Sequence, residues 1–294
     1  MITRVTNQML MSSAHRNLQA NMVALAKLQE QASSHKQIQL PSDDPLGTAA
    51  SLSIHSQQSA NAQYGRNIGD ADSWLTMVDS TISAGTTVMH RVRDLVVRGS
   101  NDGSMSQSAK NDIATELDSL KSELLGQANT SLQGRNIFAG NSTAGAAFAP
   151  DYTYTGASGS TVQRRIDAST TVRVDADGSA VYGDGDASVF ALIDKITTDL
   201  RAGTNVSGYL TQIDDRMSSM LTVQASVGTR QNQVDRAQEA NMQKATSLEA
   251  QRSGVEDIDI AKSILDLQTQ QTTYQAALAT TARVLQPTLM DFLS

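Results

Sequence analysis

The sequence of 294 residues contains no cysteine, only four prolines and few aromatic residues. The absence of cysteine excludes disulfide bonds and thiolate chemistry, but it leaves the compartment open, because oxidising surroundings permit disulfides without requiring them. Aromatic residues make up 4% of the chain, which is low for one large globular core and is typical of elongated bundles filled by aliphatic side chains. The prolines stand at positions 41, 45, 150 and 287, so long stretches are free to be helical.

Charge and hydropathy exclude further classes of protein. The net charge is −7 and the isoelectric point is near 5.0, and no basic stripe could supply phosphate contacts, so we expect no nucleic-acid partner. No run of 18 apolar residues occurs, so we expect no membrane span. The first residues lack the apolar core of a cleaved secretion signal. Export by a route without such a signal therefore stays open.

The two ends of the chain share one pattern, an alternation of three- and four-residue spacing between apolar or small side chains. At the N-terminal end these positions are Met11, Ala14, Leu18, Asn21, Leu25, Leu28 and Ala32. At the C-terminal end they are Ile260, Ile264, Leu267, Gln271, Tyr274, Leu278, Thr281 and Leu285. A helix with one apolar stripe needs a partner stripe, so the two ends should pair with each other or with neighbouring molecules. The pattern favours assembly over catalysis.

Polar residues interrupt both stripes, at Asn21 and Gln271. Buried polar positions in a helical seam lower its stability and select its register and partner number. A seam that also contains alanine and threonine is marginal in an isolated molecule. We therefore expect the ends to be disordered alone and to fold on assembly.

Between the ends, the spacing predicts helices over residues 5–33, 45–98, 106–132, 188–200 and 209–248, with a small β region before the last two. Alternating stretches at residues 152–155 and 170–174 are the expected strands of this region. Ser42 or Asp43 is the expected cap of the helix that begins near Pro45. The predicted fold is mainly α, an elongated rod of long antiparallel helices with a small β-rich domain at its distal tip. Its predicted segments are 1–33 (an N-terminal assembly helix that pairs with 258–294), 34–140 (first half of the rod), 141–190 (β-rich insertion), 191–257 (second half of the rod) and 258–294 (C-terminal assembly helix).

Candidate chemistry is scarce, so the protein is not expected to be an enzyme and no catalytic, cofactor or metal residues are assigned. Residues 175–178 and 184–186 resemble pieces of a calcium loop, but the loop's closing glutamate is missing. An Asp-Gly pair between short strands is more typical of a hairpin turn. The four histidines lack metal-ligand spacing.

Arg91, Arg93 and Arg98 form a short charged face late in the long helix. This face could be solvated and held by a salt bridge of little energetic value. It could also be a subunit contact, since arginine is enriched at interfaces. Both interpretations stay open on spacing alone.

Several segments resemble the bacterial flagellin family. Residues 4–9 and 40–45 are similar to its N-terminal signature, 90–97 to its arginine-containing helix and 255–261 to its C-terminal end. Within the family, residues 132–141, 269–278 and 285–293 resemble hook–filament junction proteins more than filament flagellins. The resemblance covers about residues 1–140 and 190–294.

The resemblance implies a secreted structural subunit of the extracellular flagellum, whose terminal helices form the inner layer of a hollow tube. It implies type III export in an unfolded state, with an export chaperone on the C-terminal helix. The implied partners are further copies in a homo-oligomeric ring, hook-associated protein 1 and flagellin, without cofactor, nucleic acid or membrane. The expected assembly interface comprises Met11, Leu18, Leu25, Leu28, Ile260, Ile264, Leu267, Tyr274, Leu278 and Leu285.

Three alternatives remain. The chain could be a short flagellin that polymerises into the filament itself. Residues 141–190 could serve a surface adhesin or a host-receptor ligand. A hydrolytic enzyme with its site in the β region is disfavoured, because no nucleophile–base pair is present there.

Overall fold

The computed structural model describes residues 2–101, 105–157 and 159–285, and these form seven α-helices and four short strands. The helices are α1 (Ile2–Ser34), α2 (Pro45–Gly99), α3 (Gln107–Ala128), α4 (Gly178–Tyr182), α5 (Val189–Ala202), α6 (Leu210–Glu256) and α7 (Ile260–Leu285). The strands are β1 (Ser131–Leu132), β2 (Arg135–Asn136), β3 (Gln163–Arg165) and β4 (Thr171–Arg173). The mainly α class with a small β region is confirmed. None of the described helices combines the length and apolar character needed to cross a membrane.

The chain divides into two compact units. We call residues 1–59 with 245–294 the terminal unit, and residues 60–244 the central unit. The long helices α2 and α6 contribute to both. Each unit is described separately below.

In the central unit, α2 and α6 run antiparallel. Asn61 Nδ2 donates to the backbone carbonyl of Asn241 at 3.1 Å, and further along Arg93 Nε donates to Asp214 Oδ1 at 2.7 Å. The largest aliphatic and tryptophan side chains buried in this unit, all less than 2% exposed, are Ile68, Trp74, Leu75, Ile82, Met89, Leu95, Leu117 and Leu124. Helices α2 and α3 therefore bury continuous apolar faces in the hydrophobic core of this unit.

The few aromatic residues of the chain are concentrated around the β region. Six of the eleven form one cluster of ring contacts: Phe138, Phe148, Tyr152, Tyr154, Tyr182 and Phe190. The rings of Phe138 and Tyr182 meet edge to face at 5.4 Å, a favourable geometry for aromatic pairs. The helical part is filled by aliphatic side chains, whereas the β region, with its very short strands, is filled by aromatic ones.

The strands pair as two antiparallel hairpins, β1 with β2 and β3 with β4. The strand predicted at residues 170–174 is present as β4. The stretch predicted at 152–155 forms only an isolated bridge, between Phe148 and Tyr154.

The hairpin turn predicted at Asp177-Gly178 is wrong. Asp177 is the N-cap of α4, where its carboxylate accepts the backbone N–H of Ser179 at 3.0 Å. The turn between β3 and β4 lies earlier, where Ile166 N–H donates to the carbonyl of Thr170 at 3.0 Å. An aspartate before an Ala-Val-Tyr run that can be buried favours a helix start over a turn.

In the terminal unit, the predicted cap of α2 is wrong by one residue. Asp44, not Ser42 or Asp43, accepts the N–H groups of Leu46 and Gly47, at 3.1 and 2.9 Å. Because Pro45 occupies the first helical position, the preceding residue is the only one placed to cap.

Asp43 instead closes the loop before α2. Its carboxylate accepts Lys27 Nζ at 2.9 Å and the Leu40 N–H at 3.1 Å. The hydrogen bond from Lys27, with the Leu40 N–H, lowers the pKa of Asp43. The loop between α1 and α2 is therefore tied to α1.

A buried carboxylate organises the β region of the central unit. Asp175 is fully buried, and its Oδ1 accepts the backbone N–H of Val162 at 2.8 Å. Arg173 binds both of its oxygens, at 3.0 and 2.9 Å. A buried charge satisfied in this way is costly to disrupt, because its removal leaves a cation and an amide unpaired.

We predict that Asp175→Ala lowers the free energy of unfolding of the central unit by about 2–3 kcal/mol. The measurement is urea unfolding followed by the fluorescence of Trp74, the single tryptophan, which is buried in this unit. The exposed Asp72 gives a control, since Asp72→Ala should change stability by less than about 0.5 kcal/mol. Equal midpoints for the two variants would contradict the prediction.

Candidate assembly surface

Helices α1 and α7 form an antiparallel pair in the terminal unit. The side chain of Gln270 donates through Nε2 to the carbonyl of Asn21 at 3.2 Å. At the base of the pair, Ile258 N–H donates to the carbonyl of His35 at 3.2 Å. The contacts advance along one helix as they retreat along the other, which fixes the antiparallel register.

The face that α1 turns towards α7 contains the predicted positions. The half-buried side chains follow the expected spacing through Ala14, Leu18, Asn21, Leu25, Leu28 and Ala32. Met11 lies at the edge of this face and is 44% exposed. The stripe of α1 is therefore one row wide, and one neighbouring helix can cover it.

The face of α7 differs from the expected one. The side chains turned towards α1 are Ser263, Leu267, Gln270, Tyr274, Ala277 and Thr281. Ile260, Ile264 and Leu278, expected in the same seam, are 53%, 55% and 42% exposed. These three lie outside the row that contacts α1, because the apolar stripe of α7 is two rows wide and α1 covers only one. As contacts with other molecules, they stay a prediction.

Part of the predicted interface cannot be placed. The backbone of Leu285 ends α7, but its side chain and residues 286–294 lie outside the described part of the chain. The motif at residues 285–293 falls there too.

The pair buries little apolar surface for its length in the described residues. No described side chain of α1 is fully buried, and in α7 only Ser263 is. Eleven of the fourteen large hydrophobic side chains that are exposed lie in the terminal unit. Two helices with so little burial have little to offset the entropy of ordering them. The exposed apolar row of α7 is the feature that a further partner would cover.

A buried carboxylate anchors the base of the pair. Glu256, at the end of α6, is 6% exposed and accepts a hydrogen bond from Ser51 Oγ. His55 Nε2 lies 2.6 Å from the same oxygen. Arg252 Nη1 and Lys36 Nζ approach the other oxygen at 3.4 and 3.9 Å. One carboxylate thus joins α2, α6 and the loop after α1.

Backbone hydrogen bonds reinforce this anchor. Gln37 N–H donates to the carbonyl of Glu256 at 2.7 Å, and Lys36 pairs with Asp257 in an isolated bridge. Asp259 then caps α7 by accepting the N–H of Lys262 at 3.1 Å. Hydrogen bonds therefore hold the turn between α6 and α7 on both sides, to the loop after α1 and at the start of α7.

The charges around the anchor shift its titration. The hydrogen bond from Ser51 holds the pKa of Glu256 below its ordinary value, with help from His55 and Arg252 and against the effect of burial. Hydrogen bonds from Arg252 likewise lower the pKa values of Asp257 and Glu249. All three carboxylates are therefore held in their charged form.

Sequence reasoning missed the role of Glu256. The residue stands in the segment 255–261 that carries the family resemblance, which was the available signal. Its partners Ser51 and His55 are about 200 residues away in sequence. Spacing along one segment could not reveal such a contact.

Two of the three arginines considered as subunit contacts bind acidic residues of their own chain in the central unit. Arg91 Nε donates to Glu116 Oε1 at 2.7 Å, between α2 and α3. Arg93 is bonded to Asp214 of α6. Arg98 is exposed. Such solvated pairs stabilise little, and a subunit contact at these positions stays a prediction.

Two family models match the sequence. The model of the bacterial flagellin N-terminal helical region matches residues 5–143. The model of the bacterial flagellin C-terminal helical region matches residues 210–293. Together the matches cover well over half of the chain and include nearly all of α1 and all of α7.

Curated relatives align over most of the chain. Flagellar hook-associated protein 3 of Escherichia coli K12 is 26% identical, over 93% of this chain and 94% of the relative. Flagellar hook-associated protein 3 of Salmonella typhimurium is 24% identical, over 94% and 95%. A flagellin of Bacillus subtilis is 24% identical, over 84% of each.

Solved structures share the fold. A flagellar hook-associated protein from Vibrio parahaemolyticus superposes with a TM-score of 0.68 at 22% identity, over 73% of this chain and 100% of that chain. A flagellar junction protein from Legionella pneumophila gives 0.59 at 17% identity, over 71% and 100%. Each of these alignments leaves more than a quarter of this chain unmatched.

We predict that Glu256→Gln weakens the base of the α1–α7 pair by about 1–3 kcal/mol at pH 7. Because the pKa of Glu256 is lower in the folded than in the unfolded chain, its carboxylate stabilises the fold above the unfolded value. That contribution is lost as the pH falls through the folded value. The difference between the variant and the parent chain should therefore shrink below about pH 4.

Hydrogen exchange of peptides from residues 45–59 and 245–256 measures this effect. Glu30, exposed on α1, provides the control, since Glu30→Gln removes the same charge without a buried partner. Unchanged protection in Glu256→Gln at pH 7, or a difference from the parent that grows on acidification, would be evidence against the role of this carboxylate.

Proposed function

The chain belongs to the bacterial flagellin family, and we propose that it is a structural subunit of the flagellum that forms the junction between hook and filament. Two relatives named flagellar hook-associated protein 3 support this choice, because they align over more than nine-tenths of both chains. The flagellin of Bacillus subtilis aligns over a smaller share, 84% of each chain, and flagellin FlaB2 of Treponema pallidum aligns over a similar share at a lower identity of 23%. A flagellar structural role makes catalysis unnecessary.

The observation that carries the proposal is the exposed apolar row of α7. Ile260, Ile264 and Leu278 recur in a row beside the one through which α7 already contacts α1. In a free monomer such a row would meet only water, so it is understandable as a surface that other subunits cover. A mechanical junction needs contacts of this kind, since many subunits must be held side by side.

The partners follow from this role. We propose a homo-oligomeric ring with hook-associated protein 1 on one side and flagellin on the other, outside the cell. Before assembly the apolar row of α7 would need protection during export, which is a reason for an export chaperone on this helix. The ring, the chaperone and the type III export route are parts of the proposal.

A short flagellin is the competing candidate within the family. The two differ in self-assembly, because a flagellin adds to its own filament indefinitely whereas a junction subunit should stop after a short layer. We predict that the purified chain does not extend filament seeds, as observed by electron microscopy. Growth of long filaments from the chain alone would favour the flagellin alternative.

We predict that Leu278→Asp abolishes assembly and leaves the central unit folded. Removing one leucine contact and burying a charge should reduce incorporation into flagella at least about tenfold. Leu278 is 42% exposed in the monomer, so folding loses little. The measurement is complementation of motility in a strain that lacks the chain, with immunoblotting of sheared flagella.

The matched control is Thr280→Asp, which adds the same charge two residues away at an exposed position on the other side of α7. This control should assemble normally. Normal flagella with Leu278→Asp, or equal defects in both variants, would remove the apolar row from the proposed interface.

A further inference from the structure

A notch with an acidic rim lies at the base of the α1–α7 pair. Leu28 and Ile258 supply apolar surface, while Asp259 and Asp266 stand on its rim. Its volume is about 270 Å³. Typical small-molecule pockets are larger, at about 300–1,000 Å³. The size suits one inserted side chain better than a metabolite.

Ser263 also lines the notch and points to a missing partner. The residue is 7% exposed, and its Oγ is buried without a hydrogen-bond partner in the described part of the chain. Buried hydroxyl groups are nearly always hydrogen-bonded, since an unmade bond costs stability. A ligand with hydrogen-bond donors would satisfy it.

The charges of the rim favour a cation. Asp266 is exposed and forms no ion pair among the described residues, and Asp259 uses one oxygen to cap α7. Lys262 stands nearby, but it is exposed and pairs with neither carboxylate in the described structure. The notch therefore offers unpaired carboxylate oxygens above an apolar floor.

The complementary feature lies on the outer side of α1. Met9, Arg16 and Val23 recur at seven-residue spacing, which places them in one stripe opposite the face that contacts α7. Met9 and Val23 are 67% and 70% exposed, and Arg16 is exposed without an ion pair among the described residues. This stripe is complementary to the notch, because its apolar side chains suit the apolar floor and its cation suits the carboxylates of the rim.

We propose that Arg16 of one copy inserts into the acidic notch of a second copy. Its aliphatic stem would cover Leu28 and Ile258, and its guanidinium would donate to Asp266 and to the hydroxyl of Ser263. The charge-assisted bonds to the carboxylate give the contact its strength and direction.

The two surfaces are different, so the contact is head to tail. Such heterologous contacts propagate from copy to copy and form a ring when the rotation between copies closes or a helical filament when it does not, whereas identical patches would give closed two-fold dimers. The inference thereby rests on the proposed function and specifies how neighbouring subunits in the ring recognise each other.

Charge reversal tests the pairing. Asp266→Arg and Arg16→Asp should each lower the amount of the full chain incorporated into flagella by about tenfold or more, since close interfacial charge pairs are strongly coupled. The double variant restores an opposite pair and should return incorporation to within about threefold of the parent chain. Quantitative mass spectrometry of sheared flagella gives the amounts.

Controls place the same kinds of charge on exposed positions outside the α1 stripe and the notch, Gln29→Asp on α1 and Thr272→Arg on α7. Both should incorporate normally, and Trp74 fluorescence should show an intact central unit in every variant. Normal incorporation of either single variant would overturn the proposal, and so would a double variant no better than the worse single one. Failure of the parent chain to localise at the hook–filament boundary would instead refute the proposed function.

Discussion

A pair of helices can cover only one row of side chains on each partner, and this limit governs the terminal unit. On α1 the stripe that faces α7 is one row wide, so α7 covers most of it. On α7 the apolar positions extend over two rows, and the row with Ile260, Ile264 and Leu278 stays exposed. Adding more apolar residues to either helix could not change this, because the second row lies beside the one that the partner covers. Covering the second row therefore requires a further partner.

Polar groups decide which row is used. Gln270 binds the backbone of Asn21, and Glu256 fixes the turn from which α7 starts. Once Asp259 caps α7 at that point, the rotation of the helix about its axis is set. The apolar side chains alone would permit either row to face α1, so hydrogen bonds provide the specificity while hydrophobic contact provides the attraction. Buried polar groups act in the same way in coiled coils.

The sequence predicted most of the helices and the contact row of α1, because a single stripe at regular spacing has one solution. For α7 it placed Leu267, Tyr274 and Thr281 in the contact row, but it also included a second row that satisfies the same spacing. It misplaced the cap of α2 by one residue, since three consecutive residues there can cap and only the position of Pro45 decides. The ion pairs of Arg91 and Arg93 join residues 25 and 121 positions apart, which no local pattern reveals.

The two units differ in how they offset the conformational entropy that is lost on folding. The central unit buries an aromatic cluster, long aliphatic faces and the satisfied carboxylate of Asp175, so it can be stable as a monomer. In the α1–α7 pair of the terminal unit, polar groups fix the geometry and apolar burial is left incomplete. The polar contacts therefore specify the register of the two helices, whereas the stability of the pair depends on further apolar burial. A subunit built in this way would order its ends in one defined register, and it would do so when neighbouring subunits supply the missing apolar surface.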